Sequence, residues 1–342
     1  LVAITSFGKI IIPFARGAKM VTSVTSISKL TKTTRFVGWS LLGIMFAFLA
    51  NNFLTYWSGF PGAAWSGGFA AIMQAALYPF VVLLAFLLVL RKPNVTLRAD
   101  SARISDMNTF FIRACFFIVL YIGMVDMIIS FLRVEDLLKG IVGTEMTKSL
   151  GRSVFRGTYV HFPLMILGVI TACFSRTLGV HWLALMVIVA ELIIVFLRFI
   201  FSYEQAFMAD LVRFWYGALF LFSSAYTLLE EGHVRVDIVY AGLREKTKGG
   251  LNAFGSLFMG ILLCWTILIV GMGSKASIIN SPLLNFETSQ SGFGLYVKYL
   301  MAGFLAIFAI SMMIQFISYM LASVADYRGD PDKRDPDTTG AH

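Results

Sequence analysis

Few side chains in this sequence could do chemistry. The most telling is Glu191, which stands in the middle of an apolar run from His181 to Phe201. A carboxylate in a hydrocarbon setting is costly and normally faces a partner, a cavity or an ion path. Arg198 follows seven residues later, two helical turns along the same face and about 10 Å away, too far to pair directly. Glu191 is therefore expected to meet another helix or another subunit, with a proton or ion site as the second reading. Arg113, Asp126, Arg213 and Lys298 also fall inside apolar runs, but close enough to the ends for their side chains to reach the interface by snorkelling.

The other reactive groups make no set. His161 and His181 sit near the ends of apolar runs, His233 lies in a polar segment and His342 in the tail. His161 and His181 are expected at opposite faces of a membrane, so they cannot ligate one haem. Cys115, Cys173 and Cys264 lie far apart in apolar runs, without metal-ligand spacing, and read as small buried hydrophobes. No paired carboxylates, nucleophile and base, or metal-ligand cluster lies at useful spacing. The expectation is that the chain is not an enzyme, with no catalytic residue, cofactor or metal.

The elements that must position these residues follow from composition. Of the 342 residues, 58% are hydrophobic and 14% charged, and mean hydropathy is +0.79. A soluble domain cannot hide so much apolar surface, so the bilayer is the solvent. The net charge of +9 raises the possibility of nucleic acid, but the basic residues are scattered through short segments between apolar runs, as membrane topology requires. The runs predict an all-α polytopic protein of about eight spans: 36–57, 69–90, 110–132, the short 159–174, 181–201, 211–229, 253–271 and 295–324.

Lys and Arg concentrate in cytoplasmic loops. Placing both termini inside puts the basic segments 1–35, 91–103, 235–248 and 328–334 there as well. The segment from Arg133 to Arg156 is the exception, its basic residues diluted by Glu135, Asp136 and Glu145. The organisation expected is a basic interfacial segment at 1–35, an N-terminal bundle of about four spans at 36–180, a four-span domain at 181–325 and a polar tail at 326–342 without a fold of its own.

One polar segment has a pattern. Gly232 can end the preceding helix, and Val234 and Val236 alternate with His233, Arg235 and Asp237. In an extended strand the valines face the membrane and the polar trio faces water or a partner. A plain interfacial turn explains the same residues.

The run His233-Val234-Arg235-Val236-Asp237, following a span that ends near Leu229-Glu230-Glu231-Gly232, resembles the hallmark loop of the small membrane (Q-type) subunit of tripartite ATP-independent periplasmic (TRAP) transporters. Arg198-Phe199, Tyr203-Glu204, Asp210-Leu211-Val212-Arg213 and Trp215 fall where that family places an Arg-aromatic span end, an aromatic and acidic connection, and a Trp-containing second span. Ser202-Tyr203-Glu204 replaces the family's usual Trp-Ser ahead of its acidic residue. The resemblance spans about 181–325, and residues before 181 have no counterpart in a four-span subunit.

The resemblance implies a scaffold without chemistry of its own. Its partners are a large sodium-coupled permease subunit and a periplasmic substrate-binding protein, and its setting is membrane lipid in a bacterial or archaeal inner membrane, without nucleic acid. The implied process is uptake of organic anions, chiefly carboxylates. Glu191, Arg198, Asp210, Arg213, Trp215, His233, Arg235 and Asp237 become candidates for subunit contact or structure. A stand-alone transporter or channel using Glu191 is the alternative.

Overall fold

The computed structural model describes residues 29–230, 240–288, 295–331 and 333. The motif at 233–237, residues 1–28 and most of the polar tail lie outside them. The described residues are all-helical. In chain order the helices are α1 (Lys29–Tyr56), α2 (Phe69–Arg91), α3 (Leu97–Val134), the short α4 (Leu138–Val142) and α5 (Thr144–Leu150), α6 (Ser153–Phe174), α7 (Val180–Phe201), α8 (Ala206–Leu229), α9 (Glu245–Met272), the short α10 (Asn280–Asn285) and α11 (Lys298–Arg328).

Seven of these helices are long and apolar enough to cross a membrane: α1, α2, α3, α6, α7, α9 and α11. The eighth expected span corresponds to α8, a 24-residue helix diluted by Asp210, Arg213 and several aromatic and hydroxyl side chains. It nevertheless lies inside the bundle, where Phe207, Leu211, Phe214, Ala218 and Phe222 are fully buried.

α3 and α11 form the axis. At 38 and 31 residues they measure about 57 and 46 Å, longer than the roughly 30 Å hydrocarbon layer. α3 begins at Leu97, 13 residues before the apolar run that announced it. Thr96 is extended and its hydroxyl accepts a hydrogen bond from the Ala99 amide at 3.2 Å, the standard N-cap arrangement. The polar first turns then stay helical because Ser101, Ser105 and Asn108 find partners on α11.

Two apolar cores meet on this axis. One joins α3, α6, α7 and α8 with the start of α11; the other joins α1, the start of α3, α9 and the rest of α11. Each draws on residues from both sides of position 180. α2 packs chiefly on α1. α6 and α9 each contain a π turn, at Gly157–His161 and Ser256–Ile261.

Because α6 is helical from Ser153, it reaches 22 residues and can span. The apolar run at 159–174 understates it: Arg156 and His161 lower its hydropathy yet both are fully buried. Residues five apart diverge on an α-helix, but the i to i+5 turn between these two aligns them on the inward face.

Candidate functional site

Four helix ends converge at one end of the bundle. Arg35 of α1 and Asp100 of α3 form a fully buried ion pair at 2.6 Å, Trp39 donates to the same carboxylate at 3.0 Å, and a further Arg35 nitrogen reaches the Lys92 carbonyl. Arg98 of α3 contacts Asp326 of α11 at 2.9 Å, and α9 starts against the end of α11, with Lys246 Nζ 5.0 Å from the Tyr327 ring centre. The start of α1 and the end of α11 therefore lie on the same side.

In the middle of the axis a polar ladder replaces apolar packing. Ser105 and Ser318 hydroxyls meet at 2.7 Å, Asn108 donates to the Ser311 carbonyl at 2.9 Å, and Gln315 donates to Ser105 at 3.3 Å. Such bonds hold transmembrane helices together where water cannot compete for the partners.

At the opposite end is a closed charged network. Asp126 on α3 sits between two groups of α6: Arg156 at 2.8 Å and His161 Nε2 at 3.2 Å, with side chains of all three fully buried. The second Asp126 oxygen accepts from the Tyr296 amide at 2.9 Å. His161 Nδ1 lies 2.7 Å from the Tyr299 hydroxyl. With Asp126 ionised, the bonding assigns the ring proton to Nε2, leaving Nδ1 to accept from Tyr299. The Arg156 guanidinium lies over the Tyr296 ring at 4.1 Å and donates to the Leu150 carbonyl. The expectation that Asp126 snorkels is corrected: its carboxylate is neutralised inside the protein. Arg113 is likewise buried, whereas Arg213 reaches outward and Lys298 pairs with Glu287. The cysteine reading holds for Cys115 and Cys264, but Cys173 is exposed on α6.

α7 contrasts with this interior. Only 11% of its most apolar stretch is buried; Leu183 and Ala190 mark the stripe that touches the bundle. Glu191 and Arg198 stand together about a quarter turn round the helix from that stripe, both exposed. They are flanked by the outward-facing Ile188, Leu192 and Val195. Glu191 thus stands on an exposed flank beside the stripe that touches the bundle, not on a path enclosed by this chain.

Beyond α7, the Tyr203 hydroxyl bonds the Glu135 carboxylate, and that bond raises the Tyr203 pKa above its ordinary value. Asp210 lies 3.7 Å from the exposed Arg213 one turn on. Trp215 is buried, its indole N–H donating to the Val119 carbonyl of α3 at 3.2 Å. This contact needs Gly123, where a Cβ would come within 2.1 Å of the indole nitrogen. Of the sequence candidates, then, Glu191 and Arg198 share a flank, Asp210 and Arg213 adjoin each other, and Trp215 is a core anchor.

Residues 185–326 match the family model for "Tripartite ATP-independent periplasmic transporters, DctQ component". The matched region is similar to the DctQ component and lies behind an extension of apolar helices that the family model does not cover. The matched segment starts one turn into α7 and ends two residues before α11 does, so it takes in most of α7, then α8, α9, the short α10 and α11, close to the 181–325 expected. It includes every sequence candidate, the motif at 233–237 among them. DctQ is a transporter component and not an enzyme family. Comparisons with curated proteins and with solved structures gave no match.

Sequence reasoning missed the Asp126, Arg156, His161 and Tyr299 network, and Arg35 with Asp100. The available signal was that two intramembrane charges of opposite sign, Asp126 and Arg156, border runs predicted to be neighbours. Pairing them would have lengthened the fourth span.

Proposed function

We propose that the chain is the small membrane subunit of a TRAP-type secondary transporter. In this reading it braces a large sodium-coupled permease subunit that takes up organic anions, chiefly carboxylates, delivered by a periplasmic binding protein. The observation that carries the reading is that the segment matching DctQ opens with a helix left almost bare by its own chain, and that bare flank holds a mid-span carboxylate and a guanidinium. Charges at that depth need partners, and a permease subunit packed on α7 would supply them. The end of the bundle where α1 begins and α11 ends collects Lys29, Lys32, Arg91, Arg98 and Arg103, which supports reading that end as the cytoplasmic one, in a bacterial or archaeal inner membrane. The extension preceding α7 enlarges the brace, since α3 forms the axis of the fold.

The test is co-expression with a large TRAP permease subunit. The expected outcome is a stable complex, with sodium-driven organic-anion uptake in liposomes only when permease, binding protein and this chain are all present. Uptake by this chain alone would overturn the reading.

A further inference from the structure

α1 and α9 each pack on the final turns of α11, and a groove of about 250 Å³ runs between them. Its depth has a local cause. At Gly249 on α9, a Cβ would lie 2.5 Å from the Tyr327 amide nitrogen and 2.7 Å from the Ser323 carbonyl oxygen, so α9 meets α11 backbone to backbone, whereas α1 rests on α11 side chains, with Gly38 against Leu321. Val37, Ala253, Leu257, Met320 and Val324 make the groove apolar, and Thr33 and Thr34 are the polar groups lining it.

The mouth is basic. Lys29 precedes Thr33 by one turn on the same face of α1, and Lys246 precedes Ala253 by two turns on α9, both exposed. Residues at these spacings lie above one another on a helix. Lys246 is further placed over Tyr327, three residues beyond Val324 of the groove floor. An apolar groove with a cation on each of the two helices that border it, at the polar end of a membrane bundle, matches one kind of molecule, whose acyl chain is apolar and whose headgroup carries a phosphate.

We infer that this groove binds an anionic phospholipid of the phosphatidylglycerol class, one acyl chain between α1 and α9 and the phosphate between Lys29 and Lys246. The site is independent of the transporter reading, because it requires only this chain in a membrane. Bound there, the lipid fills the gap between α1, which belongs to the extension, and α9, which belongs to the segment matching DctQ.

The test is native mass spectrometry of the full chain released from nanodiscs containing equal phosphatidylglycerol and phosphatidylcholine. The expected result is one retained phosphatidylglycerol. Ala253→Phe, which fills the groove, should abolish retention, whereas Met259→Phe on the exposed face of the same helix should leave it unchanged. Lys29→Gln with Lys246→Gln alters only exposed side chains and should lower retention by at least about tenfold, from loss of two cations near an anionic headgroup. Equal retention of both lipids by the unmodified chain, or undiminished retention by Ala253→Phe, overturns the assignment. So does displacement of the lipid when the permease subunit binds, which would make that subunit the occupant.

Discussion

α3 and α7 are both long apolar helices with a carboxylate inside the apolar stretch, and they treat it in opposite ways. On α3, Asp126 is enclosed by Arg156, His161 and the Tyr296 amide, with none of its side chain exposed. On α7, Glu191 is left on an outward flank of a helix whose apolar stretch is 11% buried. The first carboxylate is a completed part of the fold. The second is an incomplete one, to be finished by another molecule. The consequence is that charges of one type report folding in one case and assembly in the other, and substitutions can separate the two.

The largest effect is expected at Asp126. Asp126→Asn leaves Arg156 buried without a counter-charge, and breaking such a pair costs about 3–5 kcal/mol. Thermal unfolding in detergent should fall steeply, and adding Arg156→Met should restore part of the loss, because the orphaned charge is then gone. Full additivity of the two substitutions would show that they do not act through one another.

Trp215→Phe comes next. It removes one buried hydrogen bond to α3 and some packing over Gly123, a loss of about 1–2 kcal/mol. A change of that size, with complex formation intact, would mark Trp215 as an anchor of the fold; a lost complex with unchanged stability would move it to the docking surface. Ser318→Ala should cost less, about 0.6 kcal/mol, the average for an interhelical hydrogen bond in a membrane, measured in the same unfolding assay.

These assignments indicate how much the sequence could reveal. Hydropathy located the apolar stretches well: the second span, read as 69–90, is Phe69–Arg91. It failed wherever polar residues are folded inward. α3 extends beyond its apolar run because Ser101, Ser105 and Asn108 bond to α11, and α6 extends because Arg156 and His161 turn toward Asp126. Hydropathy scores a polar side chain by type, whereas its cost depends on a partner supplied by a helix distant in sequence. The same limit applies to the candidate residues. Glu191 was legible as a mid-span charge and Trp215 through the resemblance, but which faces out and which is buried was set by the packing of α7 and α8 against α3.

Glu191 gives the smallest effect on stability and the sharpest contrast. Its carboxylate contributes no ion pair among the described residues, so Glu191→Gln in the isolated chain should move the unfolding midpoint by an amount equivalent to about 0.5 kcal/mol or less, the range for substitutions away from internal contacts. In the presence of the permease subunit the same substitution should reduce the co-purified complex, because a cation presented by the partner loses its counter-charge in a water-poor interface. Arg198→Gln on the same flank should weaken the complex in the same sense. If Glu191→Gln instead destabilises the chain as strongly as Asp126→Asn, Glu191 is a folding element and the outward flank of α7 is not the docking surface.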